Sequence, residues 1–177
     1  MVTTHSEEEW HLIRSLRNQG RPEPGGWLEH VRLGYNYRLS DIAAALGIGQ
    51  LERLEEILNL RSEAAARYGE LLRGLQVDLP CEDDDDHRRS WFVYPVRLTP
   101  EIDREQLVRD LRDAGIQTKV YLPSIHLQPY LRERYGFSDG LCPVSEDVSS
   151  RSLALPFFTG IDASAQDRVA EVLASAL

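Results

Sequence analysis

The order of periodicities along the chain predicts an α/β protein of the α+β kind: a mostly antiparallel sheet with helices on one face, joined to an N-terminal helical arm. Three observations predict it. From Gln76 onward, short β-branched and aromatic runs alternate with helical patterns in the order β, β, α, β, short helices, β, α. From Asp41 to about Leu72, apolar residues recur at helical spacing. Ahead of both, "GRPEPGGWLEHVRLG" carries two prolines and four glycines, too many for a helix, and reads as a long loop or arm.

Each element has its own signal. Ser6 caps a first helix, with Glu7, Glu8 and Glu9 in the turn where the macrodipole favours anions and Arg14 and Arg17 toward its end before Gly20. Trp10, Ile13 and Leu16 give that helix an apolar side. Ser40 caps the next, in which Ile42, Leu46, Leu54, Ile57 or Leu58, Tyr68 and Leu72 recur at helical spacing. Gly47 and Gly49 each cost a helix ~1 kcal/mol relative to alanine, which predicts a break there and a long helix beyond it.

"QVDLP" and "SWFVYPVRL" are strand candidates around the charged loop "CEDDDDHRRS". Pro95 has no N–H for a ladder, which predicts an edge position or a bulge. Asp103 caps a helix ended by Gly115, with Leu107, Val108 and Leu111 on one face, and "IQTKVYL" follows as a strand. Short helices then lead to a brief strand at Leu153 to Leu155. A last helix runs from about Ser164 to Ala176, with Val169, Val172, Leu173 and Ala176 as its stripe.

At 177 residues the chain can bury a real core. A formal charge of −9 and a pI near 5.0 argue against wrapping nucleic acid, whose phosphates demand lysine and arginine. Lys119 is the single lysine among 20 basic residues, so lysine chemistry has one candidate. Cys81 and Cys142 lack CxxC spacing and read as free thiols of a reducing, cytoplasmic compartment. No apolar run reaches the ~18 residues of a membrane span.

The acidic run with His87 invites a divalent metal, yet consecutive loop residues rarely converge on one ion and the EF-hand spacing is missing, so a solvated turn explains it better. No GxSxG, HExxH, P-loop or GxGxxG pattern occurs. Two clusters remain. His126 in "LPSIHLQPY" lies near Tyr121, Gln128 and Tyr130, suited either to gripping a polyhydroxylated or aromatic ligand or to satisfying loop carbonyls. In "GYNYR", Asn36 and Arg38 stand just ahead of a helix and can serve a phosphate or carboxylate; alternatively Tyr35 and Tyr37 pack the corner and Arg38 pairs with an acidic residue.

"RSLRNQGR", "LGYNYRLSDIAAALGIGQLERLEEIL", "SWFVYPVRL", "GIQTKVYLPSIHLQPY" and "SLALPFFTGIDASAQDRVAEVL" together resemble, over essentially the whole chain and in order, the C-terminal half of the DegT/DnrJ/EryC1/StrS family. These are nucleotide-sugar aminotransferases dependent on pyridoxal 5'-phosphate (PLP). The resemblance implies the small C-terminal domain of the aspartate-aminotransferase-like fold. Residues 1–49 would then be a remnant of the large domain, and 50–177 the long connecting helix and the small domain.

The same resemblance implies a homodimer or other homo-oligomer, with an amino group moving from an amino acid, usually glutamate, to a keto nucleotide sugar in polysaccharide or amino-sugar biosynthesis. Asn36 is similar to the amide that reaches the PLP phosphate of the neighbouring subunit. Arg38, Tyr37, His126 and Gln128 are placed toward substrate. Ser124 stands where a second proline is usual, and Pro95 replaces an apolar residue.

The family's Schiff-base lysine, its acid beside the pyridine nitrogen and most of its phosphate cup lie upstream of the segment that "MVTTHSEEEW" resembles, and Lys119 does not match that lysine. The expectation is therefore no catalytic residue in this chain, no PLP bound to it alone and no transamination in isolation. With that upstream part absent, the apolar side chains of the first helix and the arm, Trp10 and Trp27 among them, should promote self-association or disorder of the arm. The alternative from another class is a non-catalytic dimerisation or nucleotide-sugar-binding module of the same descent. An unrelated small enzyme built on His126 has no motif behind it.

Overall fold

The computed structural model describes residues 2–22, 29–81, 83, 84, 86 and 89–177. Trp27 and four members of the acidic run, Glu82, Asp85, His87 and Arg88, lie outside them, as does the metal reading placed on that run. The chain divides into two compact units, Met1–Arg53 and Leu54–Leu177.

The first unit holds α1 (Glu7–Arg17) and α2 (Asp41–Glu52). Ser6 and Ser40 cap them as their sequences require, each hydroxyl accepting a backbone N–H three residues on at 3.3 Å. The break expected at Gly47 and Gly49 is not there: α2 runs through both, and the helix is interrupted at Arg53. Two glycines cost propensity, but unlike proline they keep their N–H groups, and the flanking alanines and leucines carry the helix across.

The second unit opens with α3 (Leu54–Leu71), then β1 (Val77–Asp78), β2 (Tyr94–Leu98), α4 (Arg104–Asp113) and β3 (Lys119–Val120). A 3₁₀ turn (Ile125–Leu127), α5 (Pro129–Tyr135), α6 (Pro143–Arg151), β4 (Ser152–Leu155) and α7 (Ala163–Ala176) complete it. The four strands form one antiparallel sheet in the order β1-β2-β4-β3. Pro95 is the second residue of a strand that has neighbours on both sides. β1, however, pairs only with Arg97 and Leu98, so at Pro95 the strand is locally an edge without a bulge.

Alternation along β2 sends Tyr94, Val96 and Leu98 to one face, where Tyr68 of α3 and Leu72 just past its end, Leu107 and Leu111 of α4, and Val169 and Leu173 of α7 close over them. Each such side chain removed from water is worth ~1.5–3 kcal/mol. Two polar groups that enter this core are paired: Tyr68 Oη donates to the Pro156 carbonyl at 2.8 Å, and Gln166 Nε2 donates to the Ala64 carbonyl at 2.8 Å. Burial raises the Tyr68 phenol beyond the usual tyrosine range and pushes Tyr94 up to about 12. Among the described residues, no helix is long and apolar enough to cross a membrane.

Candidate functional site

In the first unit, the C-terminus of α1 builds the corner that carries Asn36. Gln19 and Gly20 both adopt left-handed backbone, with φ of 64° and 75°. The Gly20 N–H returns to the Ser15 carbonyl at 2.8 Å, closing the helix. Residues 35–37 then run antiparallel to this end: Tyr35 N–H donates to Leu16 O (2.6 Å), Gln19 N–H to Tyr35 O (2.8 Å) and Tyr37 N–H to Arg17 O (2.9 Å), flanking a bridge between Asn18 and Asn36.

The approach is so close that only glycine fits. A Cβ on Gly34 would sit 2.0 Å from the Gly20 nitrogen, and one on Gly20 would sit 1.8 Å from the Arg32 carbonyl oxygen.

Of the sequence-predicted residues here, Tyr37 stacks on Tyr35 with ring centroids 5.0 Å apart, and both rings remain exposed. Arg38 donates to Asn18 Oδ1 at 2.6 Å, so its partner is an amide and not the acidic side chain considered from sequence. The Asn36 backbone is fixed by the bridge, while its side chain is exposed and makes no hydrogen bond to a described residue. The corner thus holds one amide outward on a rigid mount, with donors available to an anion.

His126 and Gln128 belong to the second unit. His126 sits in the 3₁₀ turn with only 7% of its surface exposed, and its Nε2 lies 2.9 Å from Glu146 Oε1. Gln128 is the N-cap of α5 and half-buried; its side chain forms no cap bond. Arg132 ties the turn to the next loop, donating to Leu127 O at 3.1 Å and, through both terminal nitrogens, to Asp139 at 2.9 and 3.0 Å. That guanidinium holds the Asp139 carboxyl below the usual carboxylate range. Ser124, in place of proline, is buried with Oγ 3.1 Å from Ser145 Oγ and 3.0 Å from Ser149 Oγ. Hydrogen bonds to α6 supply the stiffness that the proline ring would otherwise give.

Glu146 is the residue that sequence reasoning missed. Its carboxylate accepts from Gly140 N–H (2.8 Å), Cys142 N–H (3.0 Å) and His126 Nε2 (2.9 Å), and the two backbone donors hold it below the ordinary carboxylate range. The local signal was incomplete: Pro143 marks the start of α6, but Glu146 stands four residues after the N-cap Cys142, one beyond the capping-box position, and Cys142 forms no side-chain cap. Asn18, twenty residues from Arg38, had no local signal. Lys119 lies exposed on β3 opposite Ala154, an ordinary surface cation.

A four-stranded antiparallel sheet under α3, α4 and α7 is the architecture of a PLP-aminotransferase small domain, and comparison with known proteins names the family. The model of the DegT/DnrJ/EryC1/StrS aminotransferase family matches residues 1–174, and the chain belongs to that family. It is 30% identical over 170 residues to an uncharacterized protein of Methanocaldococcus jannaschii, covering 89% of this chain and 44% of that one.

Among solved structures, a DegT DnrJ EryC1 StrS aminotransferase from Brucella abortus superposes with a TM-score of 0.83 at 31% identity, over 96% of this chain and 44% of its own. DesV of S. venezuelae, solved in complex with a ketimine intermediate, gives 0.86 at 27% identity, over 98% and 45%. The chain spans less than half the length of the relatives it matches.

Proposed function

We propose that this chain is the C-terminal portion of a PLP-dependent aminotransferase acting on a keto nucleotide sugar, with an amino acid such as glutamate as donor, and that it works in a homo-oligomer. The observation that carries the reading is the exposed Asn36 amide on its rigid bridge, within a chain matched by the family model from end to end. An exposed amide with free N–H groups, two residues before the Arg38 guanidinium, suits a phosphate group. Asn36 would hold the PLP phosphate of a neighbouring subunit, and Arg38 and Tyr37 would face substrate or donor carboxylate. His126 and Gln128 would line the sugar side. When bound, PLP supplies the electron sink for amino transfer. Binding and orientation fall to these residues; the single lysine of the sequence, Lys119, would remain a surface cation, and on this reading no transamination is expected from the chain alone.

Complementation tests this. The chain is mixed with a lysine-bearing N-terminal half of the Brucella abortus enzyme, and glutamate-dependent amination of a keto nucleotide sugar is measured. Restored activity that falls ten- to a hundredfold with Asn36→Ala, about the worth of one hydrogen bond to a charged group, is the expected result. Restored activity indifferent to Asn36 would remove it from the phosphate site. A chain that binds nucleotide sugar yet restores nothing would support the non-catalytic module instead.

A further inference from the structure

Glu146 joins three segments that are otherwise separate: the 3₁₀ turn, the loop that follows α5, and α6. Its carboxylate, ionised near neutral pH because two backbone N–H groups point at it, can only accept hydrogen bonds. The His126 Nε2 facing it is therefore the donor, and in a neutral ring the lone pair then resides on Nδ1. Ser124, two residues earlier, is held by Ser145 and Ser149 on the same helix. Three side chains of α6 thus fix both the path of this turn and the orientation of its imidazole.

We propose that Glu146 is a positioning residue of the substrate side: with Ser145 and Ser149 it makes α6 a platform that holds His126 as its Nε2–H tautomer, so that Nδ1 is the nitrogen offered to a sugar hydroxyl. The proposal rests on the reading of His126 as a substrate-facing group. A purely structural Glu146 would clip the loop without any consequence for which ring nitrogen meets the ligand.

The test is the tautomer of His126 by long-range ¹⁵N–¹H correlation near neutral pH in wild type, Glu146→Gln and Asp139→Asn. Titration of each with UDP-glucose and dTDP-glucose follows. Wild type should show the Nε2–H pattern. In Glu146→Gln the amide NH₂ opposes the converging donors, and the pattern should shift toward Nδ1–H while nucleotide-sugar affinity falls about tenfold. Asp139→Asn, which loosens the Arg132 pair but leaves Glu146, should keep the wild-type tautomer.

An unchanged tautomer in Glu146→Gln overturns the proposal, as does a changed tautomer with unchanged affinity. If wild type binds neither nucleotide sugar, the substrate-facing reading of His126 fails, and the spectra still decide whether Glu146 sets the ring. Should Glu146→Gln not fold, Glu146→Asp keeps the charge but withdraws it by one methylene. Loss of the Nε2–H pattern in that variant is then the expected result and its persistence the contrary one.

Discussion

The two units of the chain use apolar residues in opposite ways. In Leu54–Leu177, leucines and tyrosines at helical and strand spacing meet in one core: Tyr68, Leu72, Leu98, Leu111, Leu153 and Leu173 are all shut off from solvent. In Met1–Arg53, α2 carries Ile42, Leu46, Ile48 and Leu51, each at least 60% exposed. The same residue types therefore stabilise one unit and lie open on the other. On α2 they are spread around the helix and mark no single apolar face, so composition alone does not say what covers them.

The first way to break this comparison is a large-to-small substitution in each unit. Leu173→Ala should cost about 2–5 kcal/mol in urea unfolding, through lost burial and a residual cavity. Leu46→Ala should stay within ~0.5 kcal/mol, because its side chain already meets water. It should, however, reduce any concentration-dependent association seen by sedimentation.

A smaller effect is expected where the core is polar. Tyr68→Phe leaves the Pro156 carbonyl without its 2.8 Å donor and should cost about 1–3 kcal/mol by the same measurement.

Acid gives a graded version of the contrast. Asp162, capping α7 through the Ala165 N–H, and Asp139, Glu146 and Asp147 all have carboxyls held below their ordinary values by partners in the second unit. A carboxylate whose folded pKa lies below its unfolded value stabilises fully above the unfolded range, near pH ~4, and that stability drains as pH falls through the folded value. Unfolding midpoints followed downward from neutral pH should therefore hold until about pH 4 and then fall. Asp162→Asn should make the fall shallower.

How much was legible beforehand follows the same division. Caps and strands were readable because Ser6, Ser40, Asp103 and the aromatic run before Pro95 act within a few residues of themselves. The order of elements in the small domain follows from such local signals. The helix break was misplaced because a glycine's propensity cost does not remove a hydrogen bond, so Gly47 and Gly49 stayed helical and Arg53 did not. At the candidate site, Asn36 and His126 were visible as residue types in suggestive loops. Their partners Asn18 and Glu146, 18 and 20 residues distant in sequence, were not, since only the folded chain brings those pairs together.

Stability resides in residues 54–177, while the corner that carries Asn36 stands on a unit whose α2 apolar side chains are exposed. Residue-resolved hydrogen exchange on a dilute sample tests it most directly. Amides of β2, β4 and α7 should be protected to the global unfolding limit, and those of α2 should exchange orders of magnitude faster. Equal protection of α2 and α7 at that dilution would contradict it.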